Sequence, residues 1–138
     1  MYKATDIAQY ILYRGVELNR SITLMMLQNM LYDIQRESLQ LFDRPMFSEI
    51  IEAWGNGPIV PKVYYKYAGA GASEIYEFKK PNVEFEIEDK NIIEMVLDSY
   101  KDDNPWLFKE RVNSAYNRAL NGDSDKPIIK RDDIKKFG

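Results

Sequence analysis

The first apolar residues of the chain recur at the spacing of an α-helix. They lie three or four positions apart, at Ile7, Ala8, Ile11 and Leu12. Thr5 or Asp6 can cap this helix, because both side chains accept hydrogen bonds from the free N–H groups of a first turn. Gly15 is the residue type that most often follows a helix end. The pattern therefore predicts a short amphipathic helix that ends at Gly15.

A longer periodic segment follows and predicts the longest helix of the chain. Its inward stripe repeats every three or four residues, at Leu24, Leu27, Leu31, Ile34 and Ser38. Ser21 or Thr23 is the expected N-cap. Gln28, Gln35 and Arg36 are expected to lie mostly off the buried face, as polar residues of an amphipathic helix usually do.

Glycine and proline dominate the middle of the chain. Residues 47–54 fit either a short strand or an irregular run, and Gly55-Asn56-Gly57-Pro58 demands a tight turn after them. Pro61 is a favourable first residue for a third helix, which Gly69 would end.

The only clear alternation of apolar and polar residues comes next. It covers residues 75–78 and 83–87, on either side of Lys79-Lys80-Pro81-Asn82. This pattern predicts a small β-hairpin.

The remainder predicts two more helices and a short terminal element. Asp89 is the expected cap of the first, and the second begins at Asn104-Pro105 and closes at Asn121-Gly122. Residues 126–137 are expected to dock as a strand or turn. The predicted fold is mainly α with a small β-hairpin, an α+β class, in one compact helical domain that spans residues 1–138.

The amino-acid composition excludes several classes of reaction and of binding site. The 138 residues include no cysteine and no histidine, which excludes disulfides, thiol nucleophiles, histidine-dependent triads and the usual zinc sites. A net charge of -3 gives no general attraction to nucleic acid. No apolar run reaches membrane-spanning length and the first residues do not form a signal peptide, so a cytoplasmic location is expected.

Two segments resemble the motifs of the Panacea domain family, which includes the antitoxin SocA and many phage-associated proteins. One segment is SITLMMLQNMLY at residues 21–32, and the other is IEAWGNGPIVPKVY at residues 51–64. The family pattern pairs a helix reading roughly KLQKLLYY with a later EAWxxGPVVPxVY. The residues that match its structural positions are Leu27, Gln28, Leu31, Tyr32, Ala53, Gly57, Pro58 and Pro61, with Pro105 and Trp106 in a weaker C-terminal pattern.

The chain also departs from that pattern. Met26, Asn29 and Asp33 stand where the family has two lysines and a tyrosine, and the Thr-His element that precedes the family's Pro-Trp pair is absent. The chain thus resembles a divergent member that is shortened in its C-terminal half.

The resemblance implies a non-catalytic protein-binding module. Its expected role is that of an antitoxin, which neutralises a small toxin by stoichiometric binding or delivers it to a protease as an adaptor. The alternative is a phage-encoded inhibitor of a host defence enzyme, such as an anti-CRISPR protein. In either case the partner is a protein, and no membrane, nucleic acid, metal or cofactor is expected.

The candidate partner-binding residues are Trp54, Tyr64, Tyr65 and Lys66, since aromatic side chains are typical anchors of protein interfaces. Two interpretations stay open for them. The tyrosines could form a binding surface or simply divide between the core and the surface of one helix, and the tryptophan could be exposed or packed on the tight turn.

A third hypothesis is that the protein is a carboxylate-based or metal-dependent enzyme. Its residues would be Glu49, Glu52, Asp102 and Asp103. A site for a hard metal needs several converging oxygens, and a spacing of three between Glu49 and Glu52 aligns them only on a helix, which this segment does not favour.

Overall fold

The structure is a computed structural model and describes residues 1–101, 113–122 and 127–138. Within these residues the chain forms six α-helices, a two-stranded antiparallel hairpin and a short 3-10 helix. In chain order they are α1 (Ala4–Glu17), α2 (Leu24–Phe42), β1 (Glu52–Trp54), β2 (Gly57–Ile59), α3 (Pro61–Tyr67), the 3-10 helix (Ala68–Ala70), α4 (Ile87–Ser99), α5 (Asn113–Leu120) and α6 (Arg131–Phe137). The predicted α+β class of a mainly helical single domain is confirmed.

Helix α2 is the centre of the domain. It packs against α1, α3, α4, α6 and strand β2, so that most of its circumference is buried rather than one stripe. Thr23 caps it as predicted, because its Oγ1 accepts a hydrogen bond from the N–H of Met26 at 3.3 Å.

The prediction that the glutamines of α2 lie off the buried face is wrong. Gln28 and Gln35 are each only 1% exposed. Their amides bind the backbone of loops packed on α2: Gln35 accepts from the N–H of Met46 at 2.8 Å and donates to the carbonyl of Phe47 at 3.1 Å. A buried amide is tolerated here because the loop's peptide groups need partners that no strand supplies.

Arg36 also lies against the core. It donates to Asp33 Oδ1 at 3.0 Å, and the side chains of Arg36 and Asp33 are 11% and 3% exposed. The hydroxyl of Tyr100 donates to the other oxygen of Asp33. Asp33, which stands at a tyrosine position of the family pattern, thus joins α2 to the end of α4.

Helix α1 begins and ends differently from the prediction. It starts at Ala4, ahead of the expected caps Thr5 and Asp6, and its first N–H groups include that of Ala4, which donates to Glu49 Oε2 at 2.8 Å. The helix continues past Gly15, where a Cβ would lie 2.8 Å from Ile22 Cδ1. Gly15 therefore allows close packing inside the helix instead of ending it.

The hairpin lies elsewhere than predicted. Strands β1 and β2 pair Glu52 with Ile59 and Trp54 with Gly57, in the segment that sequence left ambiguous. Residues 75–86 contain no strand. Their backbone instead bonds to other elements, as when the N–H of Ile75 donates to Ile22 O at 2.8 Å, and Pro81 cannot donate to a ladder.

In the second half of the chain, the predicted N-cap of α4 is wrong. Asp89 is in the first turn of α4, not before it. Its carboxylate can be buried because it accepts hydrogen bonds from Arg44 at 2.8 Å and from the hydroxyl of Tyr2 at 2.7 Å. The terminal segment docks as predicted, because Ile129 N–H donates to Ile51 O at 2.8 Å. The prediction that it is a strand or turn is wrong for most of its length, since Arg131–Phe137 forms helix α6.

Helix α5 ends before Asn121-Gly122 as predicted. Its expected start at Asn104-Pro105 lies outside the described residues, and so do Pro105 and Trp106 of the family pattern.

Candidate functional site

The matched motif residues meet where α2, the hairpin and α3 join. Those of α2 and the hairpin are buried: Leu27, Gln28, Leu31, Tyr32, Ala53, Gly57 and Pro58. Gln28 Oε1 accepts from the N–H of Val60 at 2.7 Å, and Pro61 then begins α3. The motif therefore describes a packed junction, in which one buried amide fixes the end of the hairpin to the central helix.

The hairpin is held on its other side by the C-terminal part of the chain. The N–H of Ala53 donates to Pro127 O at 2.7 Å, and the hydroxyl of Tyr116 donates to the carbonyl of Trp54. Gly57 has φ of 136°, a backbone conformation that side chains with a Cβ rarely adopt. These constraints fix the backbone that carries Trp54.

Trp54, Tyr64 and Tyr65 form a continuous group of rings, which we call the aromatic surface. The ring centroids of Trp54 and Tyr64 are 4.8 Å apart, those of Tyr64 and Tyr65 are 5.5 Å apart, and both pairs meet edge to face. Tyr65 is 70% exposed, while Trp54 and Tyr64 are half-buried. The structure thus brings together three of the four candidate binding residues that sequence proposed.

The fourth candidate, Lys66, lies on the same short helix but turns toward a different ring. Its Nζ is 5.4 Å from the centroid of the Tyr67 ring, and its side chain is exposed. The tyrosines of α3 are divided between core and surface, because Tyr67 is in the core and Tyr65 is at the surface. The interpretation that they form a binding surface stays a prediction.

Two polar contacts border the aromatic surface. Trp54 Nε1 donates to Glu52 Oε1 at 3.3 Å, and Asn56 Nδ2 lies 3.8 Å from the sulfur of Met25 on α2. Sequence analysis missed Met25 and Asn56. A residue of α2 and a turn residue come together only in the folded chain, and neither type is a usual signal of a site.

Several polar atoms of α2 and α3 are buried without a partner among the residues described. Gln28 Nε2 and the hydroxyls of Tyr32 and Tyr67 have no hydrogen-bond partner within the described part of the chain. Burial raises the pKa of Tyr32 and of Tyr67 to about 12. Both hydroxyls are therefore neutral across the physiological range and contribute no charge to the site.

The carboxylates of the enzyme hypothesis that the structure describes, Glu49 and Glu52, make separate contacts. Glu49 caps α1, Glu52 lies in β1 beside Trp54, and Asp102 and Asp103 fall outside the described residues. Among residues 1–101, 113–122 and 127–138, no cluster of three or more acidic side chains could hold a metal ion. None of the helices described is long and apolar enough to cross a membrane.

Comparison with known proteins gives one match. No curated protein matches the chain, and no solved structure does. The profile of the domain described as antitoxin SocA-like, Panacea domain, matches residues 27–121, which is more than half of the chain and includes the junction and the aromatic surface.

Proposed function

Because the chain belongs to the antitoxin SocA-like Panacea domain family, we propose that it is a non-catalytic module that neutralises a toxin by direct stoichiometric binding. The aromatic surface of Trp54, Tyr64 and Tyr65 is the proposed contact. The family suggests a role of the toxin-antitoxin type and a protein partner, and the mode of neutralisation and the contact residues are the proposal.

One observation carries the choice of surface. Tyr65 exposes most of its ring, yet the ring is held against Tyr64, which is itself held against Trp54. An exposed aromatic side chain whose position is already fixed loses little conformational entropy when a partner covers it. This is the property of the tyrosine and tryptophan anchors that dominate many interfaces.

The backbone beneath these rings is equally constrained. Gln28 fixes Val60, and Tyr116 fixes the carbonyl of Trp54, so hairpin and α3 form a preorganised support. A support of this kind suits recognition by rigid docking, in which the free and bound backbones differ little.

Co-expression tests the proposal. The partner to use is the product of a small reading frame next to this gene whose expression alone arrests growth. Wild-type chain should restore growth, and purified chain should saturate that product at a fixed molar ratio in a calorimetric titration. Full neutralisation at a small fraction of that ratio would instead indicate an enzyme and contradict the proposal.

Tyr65→Ala examines the surface itself. Loss of a central aromatic anchor should weaken the complex by about 2 kcal/mol, roughly a thirtyfold rise in Kd. Tyr76→Ala is the matched control, because Tyr76 is also an exposed tyrosine but packs on Phe78 in another segment. Equal affinity of Tyr65→Ala and wild type, with unchanged folding, would remove this surface from the interface.

A further inference from the structure

Two segments that contribute to the neighbourhood of the aromatic surface contain no acidic residue. The chain has 22 aspartates and glutamates, yet none occurs in residues 18–32 or in residues 53–73. These two segments include the first half of α2, the turn of the hairpin and the whole of α3. Helix α2 packs against both β2 and α3, so the two segments are neighbours in the fold.

The charges that do occur on α3 are positive and exposed. Lys62 and Lys66 lie one helical turn apart, on either side of Tyr65 in sequence, and both are exposed. Neither lysine forms an ion pair within the described residues, although nine such pairs tie other charged side chains together there. Positive charge is therefore concentrated beside the anchor in a chain whose net charge is -3.

Three carboxylates lie close to this region. Glu77 adds to the effect of burial in raising the pKa of Tyr67 at the end of α3, whereas Glu52 and Glu74 are engaged in hydrogen bonds. Glu52 accepts from the indole of Trp54, and Glu74, which pairs with Thr23 in an isolated bridge, accepts from the hydroxyl of Tyr76. That hydrogen bond, with a second from Ser21, lowers the pKa of Glu74. Glu52 and Glu74 thus have hydrogen-bond partners, and α3 itself carries no acidic residue.

We infer that the aromatic surface binds an acidic segment of its protein partner, in which carboxylates flank an apolar side chain. The apolar residue packs on Tyr65 and Tyr64, and the carboxylates meet Lys62 and Lys66. This inference rests on the proposed function and specifies the chemistry of the partner at the same surface. Complementary charge of this kind steers encounter and orients the partner more than it adds affinity.

Single-stranded nucleic acid also combines negative charge with groups that stack on aromatic rings. The described surface favours a protein segment instead. Helix α3 offers two lysines and no arginine, and edge-to-face packing covers much of Trp54 and Tyr64, so that Tyr65 has the most open ring of the three. A strand of nucleic acid needs a run of cations and of ring faces.

Fluorescence anisotropy with defined probes tests the inference. The probes are a short labelled peptide in which aspartates and glutamates flank one Phe and one Leu, the same peptide with lysines for its acids, and oligo-dT of similar length. Three proteins are compared: the wild type, a double variant that combines Lys62→Glu and Lys66→Glu, and a control double variant that combines Lys79→Glu and Lys136→Glu. The control pair is likewise exposed, forms no ion pair among the described residues and changes net charge equally.

We expect the acidic peptide to bind best, with a Kd that rises with salt and rises about tenfold in the Lys62/Lys66 variant but not in the control. No binding, an equal loss in both variants, or preference for the basic peptide or for oligo-dT would overturn the inference. Growth rescue is read separately. Rescue and stoichiometric binding that survive the Lys62/Lys66 reversal would leave the proposed function in place and reject the acidic partner, whereas absence of rescue by wild type would reject the function itself.

Discussion

At the scale of single residues, Tyr32 carries an unsatisfied polar atom in the core. The side chain is fully buried and its hydroxyl has no partner within the described residues. A buried hydroxyl without a hydrogen bond costs about 1–3 kcal/mol of desolvation. We therefore expect Tyr32→Phe to leave the free energy of unfolding unchanged or to raise it by about 1 kcal/mol, measured by urea denaturation.

The matched control is Tyr100→Phe, which removes a hydroxyl that donates to the buried carboxylate of Asp33. Loss of that bond should destabilise the protein by about 1–2 kcal/mol. If Tyr32→Phe were as destabilising as Tyr100→Phe, the hydroxyl of Tyr32 would have to be hydrogen-bonded in solution.

Residue types alone could not reveal which polar side chains are buried. Gln28 and Gln35 lie four residues after Leu24 and Leu31, on the inward side of α2, and only their polar residue type suggests exposure to solvent. They are buried because loops from later in the chain bring peptide groups to them. That requirement is set by tertiary contacts. Glu49 as a cap of α1 is hidden in the same way, since the two partners are 45 positions apart.

At the scale of elements, the turn between β1 and β2 depends on Gly57. Its positive φ strains any residue with a Cβ, so Gly57→Ala should lower the free energy of unfolding by about 1–3 kcal/mol. Gly55→Ala is the control within the same turn, because an added Cβ there meets nothing within 4 Å and its φ is not positive. Thermal or urea unfolding of both variants measures the difference.

Equal stability of the two alanine variants would contradict this assignment. Because the turn carries Trp54, Gly57→Ala should also weaken partner binding. If Gly57 acts only by allowing the turn to fold, partner binding by Gly57→Ala should equal that of the wild type at temperatures where the variant is fully folded.

Helices with local signals could be predicted, and the hairpin could not. Helices α2 and α3 have Thr23 and Pro61 at their starts, which are signals within one turn. The alternating segment 75–87 has the local pattern of a hairpin, but the N–H of Ile75 donates to Ile22 beside α2 and the carbonyl of Lys79 accepts from Gln9 of α1. The real strands are three residues each, too short for their alternation to be recognised.

At the scale of the whole molecule, the candidate site is only partly visible in sequence. The four candidate residues follow from residue type and from the family pattern, and three of them prove to be in contact. Residues 18–32 and 53–73, which contain no acidic residue, are neighbours in the fold but distant in sequence, so that one stretch of sequence shows only one of them.

Charged and polar side chains join α1 to α4. Arg14 Nε donates to Glu94 at 2.8 Å, and the hydroxyl of Tyr10 donates to the same carboxylate. Burial alone would raise the pKa of Glu94, but these hydrogen bonds outweigh it and lower the pKa below the ordinary value of 4.5. The folded protein therefore binds a proton at Glu94 less readily than the unfolded chain does.

This difference sets the direction of acid denaturation. The contribution of Glu94 is fully present above the unfolded pKa and is lost as the pH falls through the folded pKa. The free energy of unfolding should thus decrease as the pH is lowered below the unfolded pKa of Glu94. Glu94→Gln should be less stable at neutral pH and less sensitive to acid. Glu84→Gln, at an exposed position without an ion pair among the described residues, should keep the wild-type pH dependence. Urea denaturation at each pH gives the free energy of unfolding of the three proteins. If this free energy had the same pH dependence in Glu94→Gln and in the wild type, the α1–α4 contact would not govern stability in acid.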